Sequence, residues 1–181
     1  DLHDPHIWNS TKIWQQVVTL MAEHLKTINP GKSADYDKNA EAYKKQIQET
    51  DTWAKEQTEK IPADRRVLVT GHDAFNYFGR AYNIEIHATD FVSSDADLSA
   101  DEISELADLI ATHKLPVIFQ DNLKNPQAIQ SLKEAVAAKG WTVEVSDKEL
   151  YADSLGSESG VDTYLGVMKH NVETIVGALS S

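Results

Sequence analysis

The 181-residue sequence has no cysteine. That excludes disulfides, thiolate zinc sites and thiol nucleophiles. Basic residues are scarce: 17 Lys and Arg stand against 29 Asp and Glu, a formal net charge of −12. Phosphate contacts need a basic face, so this balance argues against nucleic acid as a partner. No apolar run approaches the ~20 residues of a membrane span. The opening "DLHDPHIWNS" lacks an initiating Met and is neither basic nor apolar, so no signal peptide is visible. Such an opening predicts a processed product or a piece of a longer chain. The rest of the composition, 41% hydrophobic and 25% charged, is that of an ordinary globular protein with enough length for one core.

Two helices come first. Residues 9–28 carry Ile13, Trp14, Val17, Val18, Leu20, Met21, Leu25 and Ile28 in a wide stripe, with Asn9 or Ser10 as cap and Asn29, Pro30 and Gly31 as stop. A stripe that broad predicts a helix buried on more than one side. Ser33 opens a second helix to about Lys60, with a narrow seam of Tyr36, Ala40, Tyr43, Ile47 and Ala54.

Strands and helices then alternate. Strands are expected at 67–70, 84–88, 117–120 and 141–145. Helices are expected at 73–82 capped by Asp73, at 99–113 with a Ser99/Glu102 capping box, at 125–139 ended by Gly140, and from about Tyr164 onward. This pattern predicts an α/β fold with a parallel four-stranded sheet covered on both faces and preceded by a long helix.

Seven histidines are the main source of chemistry. His24, His113 and His170 lie on or at the ends of amphipathic helices and read as surface or boundary residues, and His87 reads as a core or edge strand residue. His3 and His6 precede the first helix. His72 follows the strand at 67–70 across Gly71, at the carboxyl end where open α/β sheets place ligand groups. Asp153 lies in the long loop after the last strand. The first helix carries the chain about 30 Å away from His6, the second brings it about 42 Å back, and the strand returns about 17 Å to His72. A meeting of His6 and His72 is therefore feasible, with Asp153 at the same rim. Two imidazoles and a carboxylate suit zinc, manganese or iron and leave a coordination position open.

The segments "DPHIW", "VTGHDAFNYFGRAYNIE", "SSDADLSADEISELADLI" and "YADSLGSESGVDTYLGVMKHNVETI" occur in this order around a long charged helix. In this the chain resembles the TroA-like (cluster A-I) zinc- and manganese-binding receptors of bacterial ABC importers. The resemblance implies an extracytoplasmic binding protein, in the periplasm or lipid-anchored, that delivers a divalent cation to a membrane ABC permease. It assigns the metal ligands to His6, His72 and Asp153. Histidine at the second position leans toward zinc, with manganese or iron as alternatives. It also implies a division into a remnant of an N-terminal lobe (1–32), a linking backbone helix (33–61) and a C-terminal α/β metal-binding lobe (62–181). The family's first lobe, with its own histidine ligand, has no counterpart here unless His3 substitutes for that ligand.

Two rival functions stand beside this one, a hydrolase that uses the same ligands and an adhesin on the same fold. A metal-dependent hydrolase needs a general base near a metal-bound water, and no HExxH-type motif supplies one, so no enzyme is expected. A surface adhesin would keep the fold with metal-insensitive stability. The broad stripe on residues 9–28 further predicts either self-association through Trp14, Val18, Met21 and Leu25, or folding of this helix onto the C-terminal lobe.

Overall fold

The computed structural model describes residues 3–89, 99–119 and 126–181. A 3-10 turn over Ile7–Asn9 leads into α1 (Thr11–Ile28), capped by the Ser10 hydroxyl, which accepts from the Ile13 N–H at 3.2 Å. After the Pro30–Lys32 turn, α2 (Ser33–Thr58) runs back along α1. With 26 residues it is about 39 Å long. Its buried positions Ile47, Thr50, Asp51, Ala54 and Thr58 fall at helical spacing on one face, which packs on α1 and on the last helix.

The α/β part follows. β1 (Val67–Thr70), α3 (Asn76–Tyr82), β2 (Glu85–Ala88), α4 (Ala100–Thr112), β3 (Val117–Ile118), α5 (Pro126–Ala138), β4 (Glu144–Val145) and α6 (Tyr164–Leu179) come in that order. β1 pairs parallel with β2 from Val67↔Glu85 to Thr70↔Ala88, and β3 pairs parallel with β4. A single bridge, Thr70↔Phe119, joins the two ladders, with the Phe119 N–H donating to the Val69 carbonyl at 2.9 Å. The expected four-stranded parallel sheet is thus present as two short ladders in the order β2-β1-β3-β4. All four residues of β1 are buried, as a central parallel strand covered on both faces requires. Around it, Phe75, Phe78, Ile110, Leu115, Leu132, Met168, Ile175 and Leu179 complete the core.

Several local expectations hold. Ser99 and Glu102 form the capping box of α4 in both directions. Gly140, at φ +82°, ends α5 in a left-handed conformation that an L side chain resists. There the Gly140 and Trp141 N–H groups donate to the Ala137 and Val136 carbonyls, a Schellman closure.

Others are corrected. Trp141 spends its N–H on that closure, so β4 starts at Glu144 rather than at 141. α2 ends at Thr58, two residues early. Asp73 does not cap α3, because residues 71–75 form an irregular turn in which the Ala74 N–H donates to the His72 carbonyl at 3.0 Å. α3 begins at Asn76, and Asp73 instead accepts from the Asn76 amide. Gln120 and residues 90–98, expected to end a strand and form a loop, lie outside the described residues. α1 is buried on one side only: Leu20 and Ile28 are 68% exposed, and Met21 and Leu25 are also open. Its start reaches the α/β part, where Trp14 stacks on Tyr164 with ring centroids 5.2 Å apart.

The Asp51 carboxylate ties three helices together. Thr11 and Tyr82 hydroxyls donate to it at 2.8 and 2.9 Å, and Lys55 pairs with it at 2.9 Å. Burial pushes its carboxyl up, but the donors from Lys55, Thr11 and Tyr82 outweigh that and hold it below its ordinary value. Burial and the Asp51 charge together push the Tyr82 phenol up. Asp51→Ala leaves two hydroxyls unpaired and should cost about 2–3 kcal/mol in chemical denaturation. Because the native pKa is lowered, the wild-type advantage is full above the unfolded carboxyl value and fades as pH falls through the native one. The variant and wild type should therefore converge in strong acid. A constant gap down to that range would show that the carboxylate charge is not what stabilises the junction.

Candidate metal centre

Three segments far apart in sequence converge at the carboxyl end of β1. Gly71 ends the strand and His72 follows, its carbonyl held by the Thr70 hydroxyl at 2.9 Å. The segment before α1 supplies His6. Its position is fixed from α3, where the Tyr77 hydroxyl donates to the Asp4 carbonyl at 3.0 Å. The loop between β4 and α6 supplies Asp153. The Asn171 side chain pairs with both the N–H and the carbonyl of Tyr151, two residues earlier.

His6, His72 and Asp153 each present one donor atom, and these atoms lie within 4.8 Å of one another. His6 Nε2 is 3.5 Å from Asp153 Oδ1, and His72 Nε2 is 2.9 Å from Asp153 Oδ2. The two imidazoles meet edge to face at 5.1 Å. Among the described residues, His72 Nε2 is buried and has no aligned hydrogen-bond partner. Leaving such an atom unpaired costs about 1–3 kcal/mol, and a cation held between the three groups would remove that cost. Zinc bonds of roughly 2.0–2.1 Å put tetrahedral neighbours roughly 3.3 Å apart, which the observed separations bracket.

The orientation of His6 is set by Asp4, whose carboxylate accepts from the His6 backbone at 2.9 Å and faces Nδ1 at 2.6 Å. That leaves Nε2 for the cluster, the usual carboxylate–histidine arrangement behind a metal ligand. Burial pushes the Asp4 carboxyl up, yet hydrogen bonds from His6 and Asn76 outweigh it and hold Asp4 below its ordinary value. The His6 side chain is 13% exposed while Asp153 is 53% exposed, so the cluster opens to solvent on the Asp153 side. Beside Asp153 lies a cavity of about 250 Å³ walled by Trp8, Trp14, Tyr151, Leu155, Tyr164 and Met168.

The three ligands expected from the sequence are therefore adjacent. His3 is exposed and lies outside the cluster, so among the described residues nothing supports it as a fourth ligand. Of the other four histidines, His113 faces the Asp64 carbonyl, His170 the Glu149 carbonyl and His87 the Glu85 carboxylate, and His24 is exposed on α1. Sequence reasoning missed Asp4, Trp8, Asn9 and Asn171. Asp4 had a legible signal, a carboxylate two residues before a candidate ligand. Asn9 was read only as a helix cap, and its contacts are all long-range.

Across residues 1–178 the chain matches the family described as zinc-uptake complex component A, periplasmic. It belongs to that family of metal-binding substrate-binding proteins. It is 38% identical over 178 residues to the zinc-binding protein TroA of Treponema pallidum, covering 98% of this chain and 58% of that protein. The TroA crystal structure superposes with a TM-score of 0.85, covering 98% of this chain and 64% of that one. The manganese-binding lipoprotein MntA of Bacillus subtilis is 33% identical over 97% of this chain and 58% of its own length. Fe(III)-bound YtgA of Chlamydia trachomatis superposes with a TM-score of 0.82 at 28% identity, covering 97% of this chain and 63% of that one. The chain thus spans less than two thirds of the length of each of these relatives.

Proposed function

We propose that the chain is the metal-holding part of an extracytoplasmic receptor that passes a divalent cation to a membrane ABC permease. His6, His72 and Asp153 hold the cation, which is cargo and undergoes no reaction. The observation that carries the reading is the convergence of three donor atoms, one each from His6, His72 and Asp153, within 4.8 Å of one another at the carboxyl end of β1. Zinc is the first candidate, because two imidazoles and one carboxylate suit it better than an oxygen-rich site would. Manganese and iron follow, since relatives carry those metals in their names. A relative named as a lipoprotein supports a place at the outer face of the cell membrane or in the periplasm, and no helix among the described residues is long and apolar enough to cross a membrane.

Within the receptor, residues 1–32 form the remnant of an N-terminal lobe, 33–61 the linking backbone helix and 62–181 the C-terminal lobe that carries two of the ligands. Of the residues expected to self-associate, Trp14 and Val18 are half-buried, whereas Met21 and Leu25 are exposed on α1 together with Leu20 and Ile28. Apolar rows of this kind seek cover, and in this chain we take a second copy as the occupant.

His72→Ala and Asp153→Ala should each weaken zinc binding by more than about 100-fold, because even the outer partners of a ligand carry about 10- to 100-fold. His113→Ala should leave it unchanged. Competition with a chromophoric chelator reads all three, and equal affinity in wild type and His72→Ala would remove His72 from the site.

Imidazole binds a cation only after shedding its proton, so zinc binding should release protons and weaken from about pH 7 to about pH 5. Calorimetry in buffers of different ionisation enthalpy measures the release. A pH-independent affinity would point to oxygen ligands alone.

Sedimentation velocity tests the outer face of α1. Wild type should associate with rising concentration, and Met21→Glu/Leu25→Glu should remain a monomer. A wild type that stays monomeric at every concentration rules out the second copy.

A further inference from the structure

The short turn over Ile7–Asn9 follows His6 directly and lies against the segments of the other two ligands. Asn9, at its end, is 3% exposed. Its side-chain amide donates to the Ala74 carbonyl at 2.8 Å and to the Ala152 carbonyl at 3.4 Å. Ala74 is two residues after His72, and Ala152 is immediately before Asp153. The Trp8 indole N–H donates to the same Ala152 carbonyl at 2.7 Å. The Trp8 ring also lies edge to face with His6 at 5.5 Å. The Trp8 carbonyl is in turn held by the Tyr164 hydroxyl at 2.8 Å. No comparable span exists at Asn171, which fastens Tyr151 alone.

We propose that Asn9, with the indole of Trp8, is a positioning residue that fixes the His72 and Asp153 segments against His6 and so sets how slowly the cation leaves. The inference rests on the reading of His6, His72 and Asp153 as a metal site. The chemistry is direct: one amide NH₂ has two donors, and here both are directed at carbonyls of segments that carry different ligands. His6 belongs to the same turn, so the three ligands share one buried reference point. Loss of these donors leaves the buried Ala74 carbonyl and the half-buried Ala152 carbonyl with fewer partners and lets the Asp153 loop drift from the two imidazoles. A cation approaching from solvent still meets the same charges, so entry is little affected. Escape becomes faster, because it requires the ligands to separate.

The test uses Asn9→Ala and Trp8→Phe, the second keeping an aromatic ring beside His6 while removing the indole N–H together with the second ring of the bicycle. Zinc release into excess chelator by stopped flow should quicken by about tenfold in each, with the association rate within about twofold of wild type. In the metal-free protein, amide exchange at residues 71–75 and 150–154 should accelerate while α2 keeps its wild-type protection. A role in stability alone would lower the melting temperature and leave both readouts where they were. Wild-type release rates in both variants, or wild-type exchange in those two segments, would overturn the proposal. Should Asn9→Ala fail to fold, Trp8→Phe decides by the same two readouts. A wild type that takes up no zinc, manganese or iron would sink the metal reading and the retention role with it. The exchange experiment would then still report separately whether the turn holds the loops.

Discussion

The Asp51 carboxylate is the point on which the rest of the arrangement depends. It accepts from Thr11 at the start of α1 and from Tyr82 at the end of α3, and pairs with Lys55 one turn along α2. Thr11 is the first residue of α1, so fixing it also fixes the Ile7–Asn9 turn and, through it, His6. Tyr82 closes the helix whose other end carries Asn76 and Tyr77, the two side chains that bond to Asp4. One buried charge thus sets the height of the N-terminal segment over the sheet from both directions. A salt bridge on the surface would contribute little. A carboxylate at the junction of three helices, with its oxygens engaged, is different, because its removal strands the donors that surround it.

The length relation between the first two helices made a meeting of His6 and His72 feasible, and the resemblance to the metal receptors singled out those two with Asp153 as ligands. α1 has 18 residues and α2 has 26, so the return leg overshoots, and β1 brings the chain back to His72. That is geometry of regular elements, and it follows from periodicity and stops alone. Caps and stops written in local chemistry were also readable, as at Ser10, Ser99 and Gly140. What escaped was decided by tertiary hydrogen bonds. Asp73 looks like a cap, but the chain needs residues 71–75 to turn His72 into the cluster, and α3 cannot start until that turn is complete. The stripe on α1 looks like a doubly buried helix because composition reports apolarity and not what is present to cover it. Asn9 looks like a cap because local propensity is all that a single Asn reveals. Its partners are 65 and 143 residues away.

The close fit around α3 shows how little slack the sheet leaves. A Cβ on Gly79 would come within 2.4 Å of both the Ile84 carbonyl and an Ile86 side-chain carbon. The helix therefore lies directly against the chain entering β2, and Asn83 turns in the left-handed region to make the connection in a single step. Such tight packing lets α3 act as a rigid mount for Asp4, and hence for the face of His6 that points at the cluster.

Within the Asp153 loop, the tethers stop abruptly. Tyr151 is bound on both sides of its peptide by Asn171, and the Ala152 carbonyl accepts from Trp8 and Asn9. The next backbone bond in the loop belongs to Gly156, whose N–H donates to the Val161 carbonyl at 2.7 Å. Asp153 and the exposed Leu155 lie between these anchors. His6 and His72 are backed by α3 and by the end of β1, so the carboxylate is the least tethered of the three candidate ligands and the most exposed. A cation held here would be gripped by two fixed imidazoles and covered by one movable charge. Of the three side chains, Asp153 is the one through which the cluster meets solvent, on a stretch of loop that neither α2 nor the sheet holds directly.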